Sequence, residues 1–265
     1  MIDKKVALCL GGGSSLGFAH IGVLKALIEN SIPIDIITGT SMGAIVGGVY
    51  ALTQDIETME KSALEVSRAK LTDIRLFPLG KNSILVGKKA DEYLKKLYGE
   101  DTRIEDCKMP FGVVSVDLVH GNLEYMTDGL MWESIRASMS VPGVFSPVEK
   151  DDKLLVDGGI VENVPVNLAK KMGAEIIIAV DVVDYDVIKA SNKKMIGVLF
   201  NSFHASQLEL NRLKVQDANI IIKPDLKGLS MLDFKRELTE KAIIAGYDKT
   251  IEMMPEIKKI LQIDN

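Results

Sequence analysis

The feature that most constrains this chain is the stretch Gly39-Thr40-Ser41-Met42-Gly43, which sets a serine between an apolar run and a run of small residues. The run before it, residues 34–37, is rich in β-branched side chains and predicts a buried strand; the run after it, residues 44–51, predicts a closely packed helix. Ser41 therefore falls on a strand-to-helix turn, where flanking glycines avoid Cβ clashes and the helix N-terminus presents N–H groups. This is the layout of a nucleophile elbow, although the five residues alone also fit a glycine-rich turn whose serine caps the helix.

Length and composition allow a large buried core and exclude several kinds of function. The 265 residues are 47% apolar and contain no linker, which favours one domain over residues 1–265. A net charge of -5 leaves no basic excess for phosphates, so no nucleic-acid partner is expected. Cys9 and Cys107 are too few and too scattered for a disulfide framework or a metal cluster, so we expect no metal, no cofactor and a reducing cytoplasm.

The chain has no stretch near the roughly 18 to 20 apolar residues that span a bilayer. This predicts a soluble protein, or at most one that lies peripherally at the inner membrane surface. The sequence leaves the oligomeric state open.

Apolar periodicity predicts strands and helices that alternate to the end of the chain. The predicted strands cover residues 6–10, 34–37, 110–119, 123–126, 153–156, 175–183 and 219–222; the predicted helices cover residues 18–29, 44–51, 54–70, 88–97, 130–139, 164–172, 196–215 and 235–261, the last as one or two helices. Such alternation predicts an α/β fold with a mainly parallel sheet. The apolar stretch 71–87 lacks a period and fits buried irregular packing, or a lid or membrane-facing flap.

Three loops are predicted to meet at the carboxyl edge of that sheet. The loop Gly11–Gly17 follows the first strand, and a crossover helix leads to the elbow strand, which makes the two strands parallel neighbours. Backbone N–H groups of the glycine loop can receive an oxyanion. Asp157 ends a short strand ahead of Gly158-Gly159, where its carboxylate can reach the cleft as a base. Burial without a cationic partner would raise its pKa above the usual value of about 3.9 and improve it as a base.

Together these residues resemble the patatin-like phospholipase family, and the resemblance is to its compact bacterial members. It extends over residues 8–26, 36–51, 84–87 with the helix that follows, 135–148, 157–166 and 177–182. It implies a three-layer α/β/α sandwich and a lipid acyl hydrolase that cleaves carboxylic esters through a Ser-Asp dyad and an acyl-enzyme. The implied partner is a lipid or other ester substrate, with peripheral membrane contact as a further expectation.

The resemblance also implies roles for individual residues. Matched by position, Ser41 is the nucleophile and Asp157 the base. Three residues form the oxyanion loop: Gly12, Gly13 and Ser14. The supporting glycines of the elbow and motifs are Gly17, Gly39, Gly43, Gly158 and Gly159.

The glycine loop departs from the family pattern at two positions. Family members usually read Gly-x-Gly-x-[Arg/Lys]-Gly or close to it, whereas here Ser14 stands at the second glycine and Leu16 at the basic position. The missing cation removes a partner for an anionic head group, which bears on phospholipid preference. Ser14 preserves the backbone donors only if its conformation needs no positive φ.

Other roles for the polar residues stay open at this stage. His20 lies beside the glycine loop and is the histidine expected near Ser41, as a base or, as we favour, as a residue that orients the loop. His120 is expected in a turn and His204 in a helix. Asp157 could instead bond its own backbone in a turn. Capping or packing roles are expected for Ser15, Ser138 and Ser140.

Two functions from other classes are also compatible with parts of the sequence. A phosphate- or nucleotide-binding module could use the glycine loop, but no Lys-Ser/Thr pair follows the glycines and Asp35 lies at the start, not the end, of the second strand. A lipid-binding or regulatory protein with a degraded site is compatible with Leu16 at the basic position.

Overall fold

The computed structural model describes residues 4–68, 87–183, 195–231 and 233–263. The predicted irregular stretch 71–87 lies, apart from Gly87, outside these residues.

Strands and helices alternate through the described ranges. The strands are β1 (Val6–Leu10), β2 (Ile36–Gly39), β3 (Phe111–Asp117), β4 (Asn122–Met126), β5 (Val148–Lys150), β6 (Lys153–Asp157), β7 (Ile176–Val180) and β8 (Ile220–Ile222). The helices are α1 (Ala19–Glu29), α2 (Met42–Thr53), α3 (Ile56–Arg68), α4 (Gly87–Tyr98), α5 (Met131–Ser138), α6 (Val166–Lys171), α7 (Met195–Val215) and α8 (Arg236–Leu261). Short 3₁₀ turns cover Ser14–Phe18, Ile104–Asp106 and Gly158–Ile160.

The strands form one mixed sheet in which hydrogen-bonded neighbours follow the path β5-β6-β3-β2-β1-β7-β8, and β4 pairs with the opposite edge of β3. The run β3, β2, β1, β7 and β8 is parallel, whereas β4, β5 and β6 pair antiparallel. The predicted α/β class with a mainly parallel sheet is therefore confirmed, as is the parallel pairing of the first two strands. Strand β5 was not predicted, because Val-Glu-Lys shows no apolar alternation that a three-residue strand could reveal.

Both faces of the parallel sheet are covered. Alternate β1 residues Val6, Leu8 and Leu10 join a large core with α1, α2 and α8, whereas Ala7 and Cys9 face a smaller core that includes residues of α6 and α7. Since successive strand residues point to opposite faces, this division confirms the three-layer α/β/α arrangement. Within the described ranges, no helix combines the length and apolar character needed to cross a membrane.

Strands β2 and β6 lie end to end along one edge of β3. Val113 of β3 pairs with Gly39 on one side and with Met126 of β4 on the other. Two residues further on, Ser115 pairs with Asp157 of β6, while β4 continues along the opposite side. Because β2 runs parallel and β6 antiparallel to β3, their carboxyl ends point at each other. The topology thus brings the chain segments after residues 39 and 157 together.

Helices α1 and α8 pack with their backbones in direct contact through two glycines. A Cβ atom at Gly22 would lie 1.9 Å from the carbonyl oxygen of Ile243, and one at Gly246 would lie 2.0 Å from the carbonyl oxygen of Ala19. Neither neighbour is a flexible side chain, so neither can move aside without shifting a helix. This contact fixes α8 against the helix that follows the glycine loop.

Substitution Gly22→Ala or Gly246→Ala is expected to lower the free energy of unfolding by roughly 1–3 kcal/mol through overpacking, despite the helix propensity gained. The double variant should lose less unfolding free energy than the two single variants lose together, because one separation of the helices relieves both clashes. Urea unfolding measures these differences. Glu256→Ala on the exposed face of α8 is the matched control and should stay within about 0.5 kcal/mol. Wild-type stability in both glycine variants would contradict this packing.

Candidate active site

Ser41 lies on a strained turn between β2 and α2. Its backbone has φ 53° and ψ -121°, a conformation that residues with a Cβ rarely adopt. The flanking glycines permit it: a Cβ at Gly39 would lie 2.5 Å from Cα of Ala44, and one at Gly43 would lie 2.1 Å from the carbonyl oxygen of Leu10. The turn therefore has the close backbone approach of a nucleophile elbow.

A hydroxyl on α5 holds the elbow from the side. The N–H of Ser41 donates to Oγ of buried Ser138 at 2.9 Å. Two residues later, the carbonyl oxygen of Ser140 accepts the N–H of Asp157 at 3.1 Å. The end of α5 thus contacts the backbone of both residues. The sequence pointed only to packing or capping for these serines, because nothing local reveals that Ser138 has a partner 97 residues away.

The Asp157 carboxylate lies at the end of β6 and is 5% exposed. Its Oδ1 accepts the N–H of Gly159 at 2.7 Å, and the Ser41 hydroxyl lies within hydrogen-bonding reach. Burial raises the pKa of Asp157 to about 6, although these two hydrogen bonds pull it down. In the described part of the chain no cation offsets the burial. The carboxylate therefore bonds its own turn and also meets the serine across the cleft.

The glycine loop lies directly beside Ser41. A Cβ at Gly12 would be 3.1 Å from Cβ of Ser41 and 2.7 Å from Oδ1 of Asn163. The N–H of Gly12 donates to the carbonyl oxygen of Asn163 at 3.2 Å, so it is already engaged. Among the described residues, no acceptor contacts the N–H groups of Gly13 and Ser14. Of the three amides predicted to receive an oxyanion, only those of Gly13 and Ser14 therefore have no acceptor within the described ranges.

Ser14 and Leu16 occupy the two positions where the loop departs from the family pattern. Ser14 does adopt a positive φ, 51°, which costs about 1–2 kcal/mol for a residue with a Cβ. The expectation that a positive φ would remove the backbone donors is therefore wrong, because the N–H of Ser14 still has no acceptor among the described residues. The 3₁₀ turn that it begins is held by Ser15, whose hydroxyl donates to the carbonyl oxygen of Ser230 at 2.8 Å. Leu16 is 5% exposed and belongs to the large core. The position of the missing cation is thus a packing position in this chain.

The buried imidazole of His20 holds the other end of the loop. Its Nε2 lies 2.7 Å from the carbonyl oxygen of Gly11 and must donate, because a carbonyl oxygen only accepts. Burial lowers the pKa of His20 to about 4, so the ring is neutral near pH 7. Its Nδ1 is buried and has no partner among the described residues. The geometry fits a residue that orients the loop, and neither ring nitrogen hydrogen-bonds Ser41.

The remaining histidines lie elsewhere in the fold. His120 is in the turn between β3 and β4, where its Nδ1 bonds the Asp117 carboxylate. His204 lies within α7.

Further hydrogen bonds join the elbow strand to the segment that follows Asp157. Thr38 donates its hydroxyl to the carbonyl oxygen of Pro165 at 3.0 Å, and Thr40 donates to that of Glu162 at 3.2 Å. Side-chain Nδ2 of Asn163 donates to the carbonyl oxygen of Gly12 at 3.1 Å. Sequence reasoning missed Asn163. Its only signal is an isolated amide between the Asp-Gly-Gly turn and an apolar run.

The supporting glycines each lie at a close approach. Gly17 lies against the side chain of Met42, Gly158 against the carbonyl of Val114, and Gly159 beside the Asp157 carboxylate. Over the described ranges, no cluster of three or more His, Cys, Asp or Glu side chains could hold a metal ion.

The sequence and the fold were compared with those of known proteins. The profile described as patatin-like phospholipase matches residues 8–170. The lysophospholipase nte1 of Emericella nidulans is 36% identical over 190 residues, which cover 70% of this chain and 12% of that protein. Patatin-like phospholipase domain-containing protein 6 of Homo sapiens is 34% identical over 193 residues, which cover 70% of this chain and 14% of that protein. The matched part of this chain therefore spans about one eighth of the length of these relatives.

Among solved structures, VipD from Legionella pneumophila superposes with a TM-score of 0.54 at 17% identity, covering 96% of this chain and 67% of that one. At this identity the similarity concerns the fold alone. The assignment of this chain to a family rests instead on the profile match over residues 8–170 and on the relatives found by sequence. The chain belongs to the patatin-like phospholipase family.

Proposed function

We propose that this protein is a serine esterase that hydrolyses carboxylic esters of lipids, with Ser41 as nucleophile and Asp157 as the only acid-base group. One observation carries the proposal: a serine on a strained elbow lies within hydrogen-bonding reach of a buried carboxylate whose pKa is raised to about 6. A carboxylate with that pKa is ionised near pH 7 and is a stronger base than an ordinary aspartate. The curated relatives carry the names lysophospholipase and phospholipase, which makes a single-chain phospholipid the first substrate to test.

The proposed reaction has two half-reactions. Oγ of Ser41 attacks the ester carbonyl carbon while Asp157 takes the hydroxyl proton, and the N–H groups of Gly13 and Ser14 receive the negative charge on the carbonyl oxygen. Collapse of this intermediate expels the alcohol, which takes the proton from Asp157, and leaves an acyl group on Ser41. Water then attacks the acyl-enzyme with Asp157 again as base. Release of the fatty acid restores both side chains.

Substitution Ser41→Ala is expected to abolish labelling by a fluorophosphonate probe and hydrolysis of a medium-chain nitrophenyl ester and of a lysophospholipid. Asp157→Asn should lower kcat roughly 10²–10⁴-fold, because a positioned base contributes that much. Fatty-acid release in reactions quenched at fixed times measures the hydrolysis rates, and in-gel fluorescence measures the labelling by the probe. Asp128→Asn, an exposed aspartate, is the matched control and should keep wild-type rates. Labelling of the Ser41→Ala protein would refute the assignment of the nucleophile.

The raised pKa of Asp157 predicts that kcat rises with pH through about pH 6, because only the carboxylate accepts the proton. The Asp157→Asn variant should lack this rise in kcat through about pH 6 and the plateau to which the rise leads. A pH-rate profile of the nitrophenyl ester measures this. A rate that is flat from about pH 5 to pH 8 would contradict the role of Asp157 as base.

The same shift predicts an opposite effect on stability. A folded-state pKa of about 6 against the ordinary value of 3.8 favours the protonated carboxyl in the folded protein, so the added stability is complete below about pH 4 and lost as pH rises through about 6. The full difference is about 3 kcal/mol. Between pH 5 and pH 8, the free energy of unfolding of the Asp157→Asn protein, measured in urea, should therefore rise by about 1 kcal/mol relative to that of the wild type. An unchanged difference between the two proteins would contradict the burial cost.

The same experiments separate the alternative functions. A lipid-binding protein with a degraded site would bind lysophospholipid without turnover or labelling. A nucleotide-binding module would bind ATP in calorimetry. Against the latter, the Asp35 carboxylate accepts the N–H of Val6 at 2.8 Å, at the amino edge of the sheet and away from the glycine loop.

A further inference from the structure

The glycine loop consists of three successive peptide groups whose orientations are fixed in different ways. A trans peptide is planar, and its C=O and N–H point in opposite directions, so a partner on the oxygen also sets the direction of the N–H. In the peptide that joins Gly11 and Gly12, His20 holds the oxygen and the carbonyl of Asn163 accepts the N–H. This peptide is held at both ends.

The next two peptides are held at the oxygen only. Nδ2 of Asn163 donates to the carbonyl of Gly12, whose peptide carries the N–H of Gly13. The N–H of Leu16 donates to the carbonyl of Gly13 at 3.1 Å, and that peptide carries the N–H of Ser14. In the described ranges, these two N–H groups have no acceptor, so each is aimed by a bond on the opposite side of its peptide plane.

From this geometry we infer that Asn163 and His20 are positioning residues of the oxyanion hole: Asn163 aims the N–H of Gly13, and His20 fixes the peptide before it. The inference rests on the proposed esterase function. Asn163 acts through both of its polar ends, since its main-chain oxygen accepts the N–H of Gly12 and its side chain donates to the oxygen of the same residue. Two contacts on one glycine leave that segment little freedom to rotate.

The location of Asn163 links the loop to the base. A Cβ at Gly159 would lie 2.8 Å from Oδ1 of Asn163 and 3.0 Å from Oδ1 of Asp157, and one at Gly12 would lie between Asn163 and Ser41. The amide of Asn163 thus lies close both to the turn after Asp157 and to the glycine loop beside Ser41. Its half-buried side chain is therefore positioned to transmit any movement of the segment after Asp157 to the oxyanion donors.

His20 retains a polar group at a position where an apolar side chain would cost less. Its buried Nδ1 has no partner among the described residues, and a buried polar atom without a partner destabilises the folded state. The imidazole of His20 offsets this cost through its Nε2 hydrogen bond to the carbonyl oxygen of Gly11. Packing alone explains neither the ring nitrogen nor its direction.

The test compares Asn163→Leu, of similar size but without a donor, with Asn167→Leu on α6. The side chain of Asn167 makes no hydrogen bond among the described residues, so this variant is the matched control. We expect kcat/KM of Asn163→Leu on a nitrophenyl ester to fall roughly 10²-fold, the usual loss of one oxyanion donor, with KM within about threefold. Affinity for a trifluoromethyl ketone, whose adduct with Ser41 carries the oxyanion, should fall by a similar factor.

A second pair of variants tests the inference if Asn163→Leu does not fold. Glutamine can place its amide nitrogen near the position of Nε2, so His20→Gln should keep most of the activity, whereas His20→Leu should lose it together with ketone affinity. Thermal unfolding of each variant checks the fold.

The possible failures are distinguishable. Wild-type kcat/KM and ketone affinity in Asn163→Leu, or in His20→Leu, would overturn the inference alone. So would equal losses in the Asn163 and Asn167 variants. If the wild-type protein showed no Ser41-dependent hydrolysis, the proposed function would fail and the inference with it.

Discussion

The site depends on one constraint of the sheet: two strands share a single edge of β3 and point their carboxyl ends at each other. Hydrogen bonding to Val113 and Ser115 sets the positions of Gly39 and Asp157 two residues apart on the same strand. The separation between serine and carboxylate is therefore fixed by backbone register, which changes only in whole-residue steps. Side-chain hydroxyls of Thr38 and Thr40 then lock the two segments together laterally.

Electrostatics follow from that packing. The carboxylate at Asp157 is removed from water by the same segments that position it, and its two hydrogen bonds do not fully compensate the lost hydration. The resulting pKa favours proton transfer at the expense of stability, a compromise typical of functional sites. In the proposed mechanism this carboxylate is the acid-base group, so a histidine is not required next to Ser41, and the nearby ring of His20 faces a carbonyl instead.

Local sequence patterns predicted the parts of the fold that depend on nearby residues. The glycine spacing around Ser41 predicted the strained turn, and apolar periods predicted β1, β7 and the main helices within a few residues. The three-residue β5 was too short to show an apolar period. Contacts between distant segments had no local signal either: the antiparallel pairing of β6 with β3 and the bonds that Asn163 and Ser138 make about 100 to 150 residues away. Motif position likewise assigned Gly12 as a donor, because a motif does not show that Asn163 already accepts its N–H.

The shared edge of β3 also bears on how the protein matures. The serine and the carboxylate are 116 positions apart in the chain (157 minus 41) and meet only on a strand that lies between them in sequence. A growing polypeptide that has reached residue 100 carries its hydroxyl but neither the carboxylate nor the strand that would bring it near. Such long-range pairing forms late in folding. The proposed esterase activity should therefore be absent from nascent or truncated chains that end before residue 157.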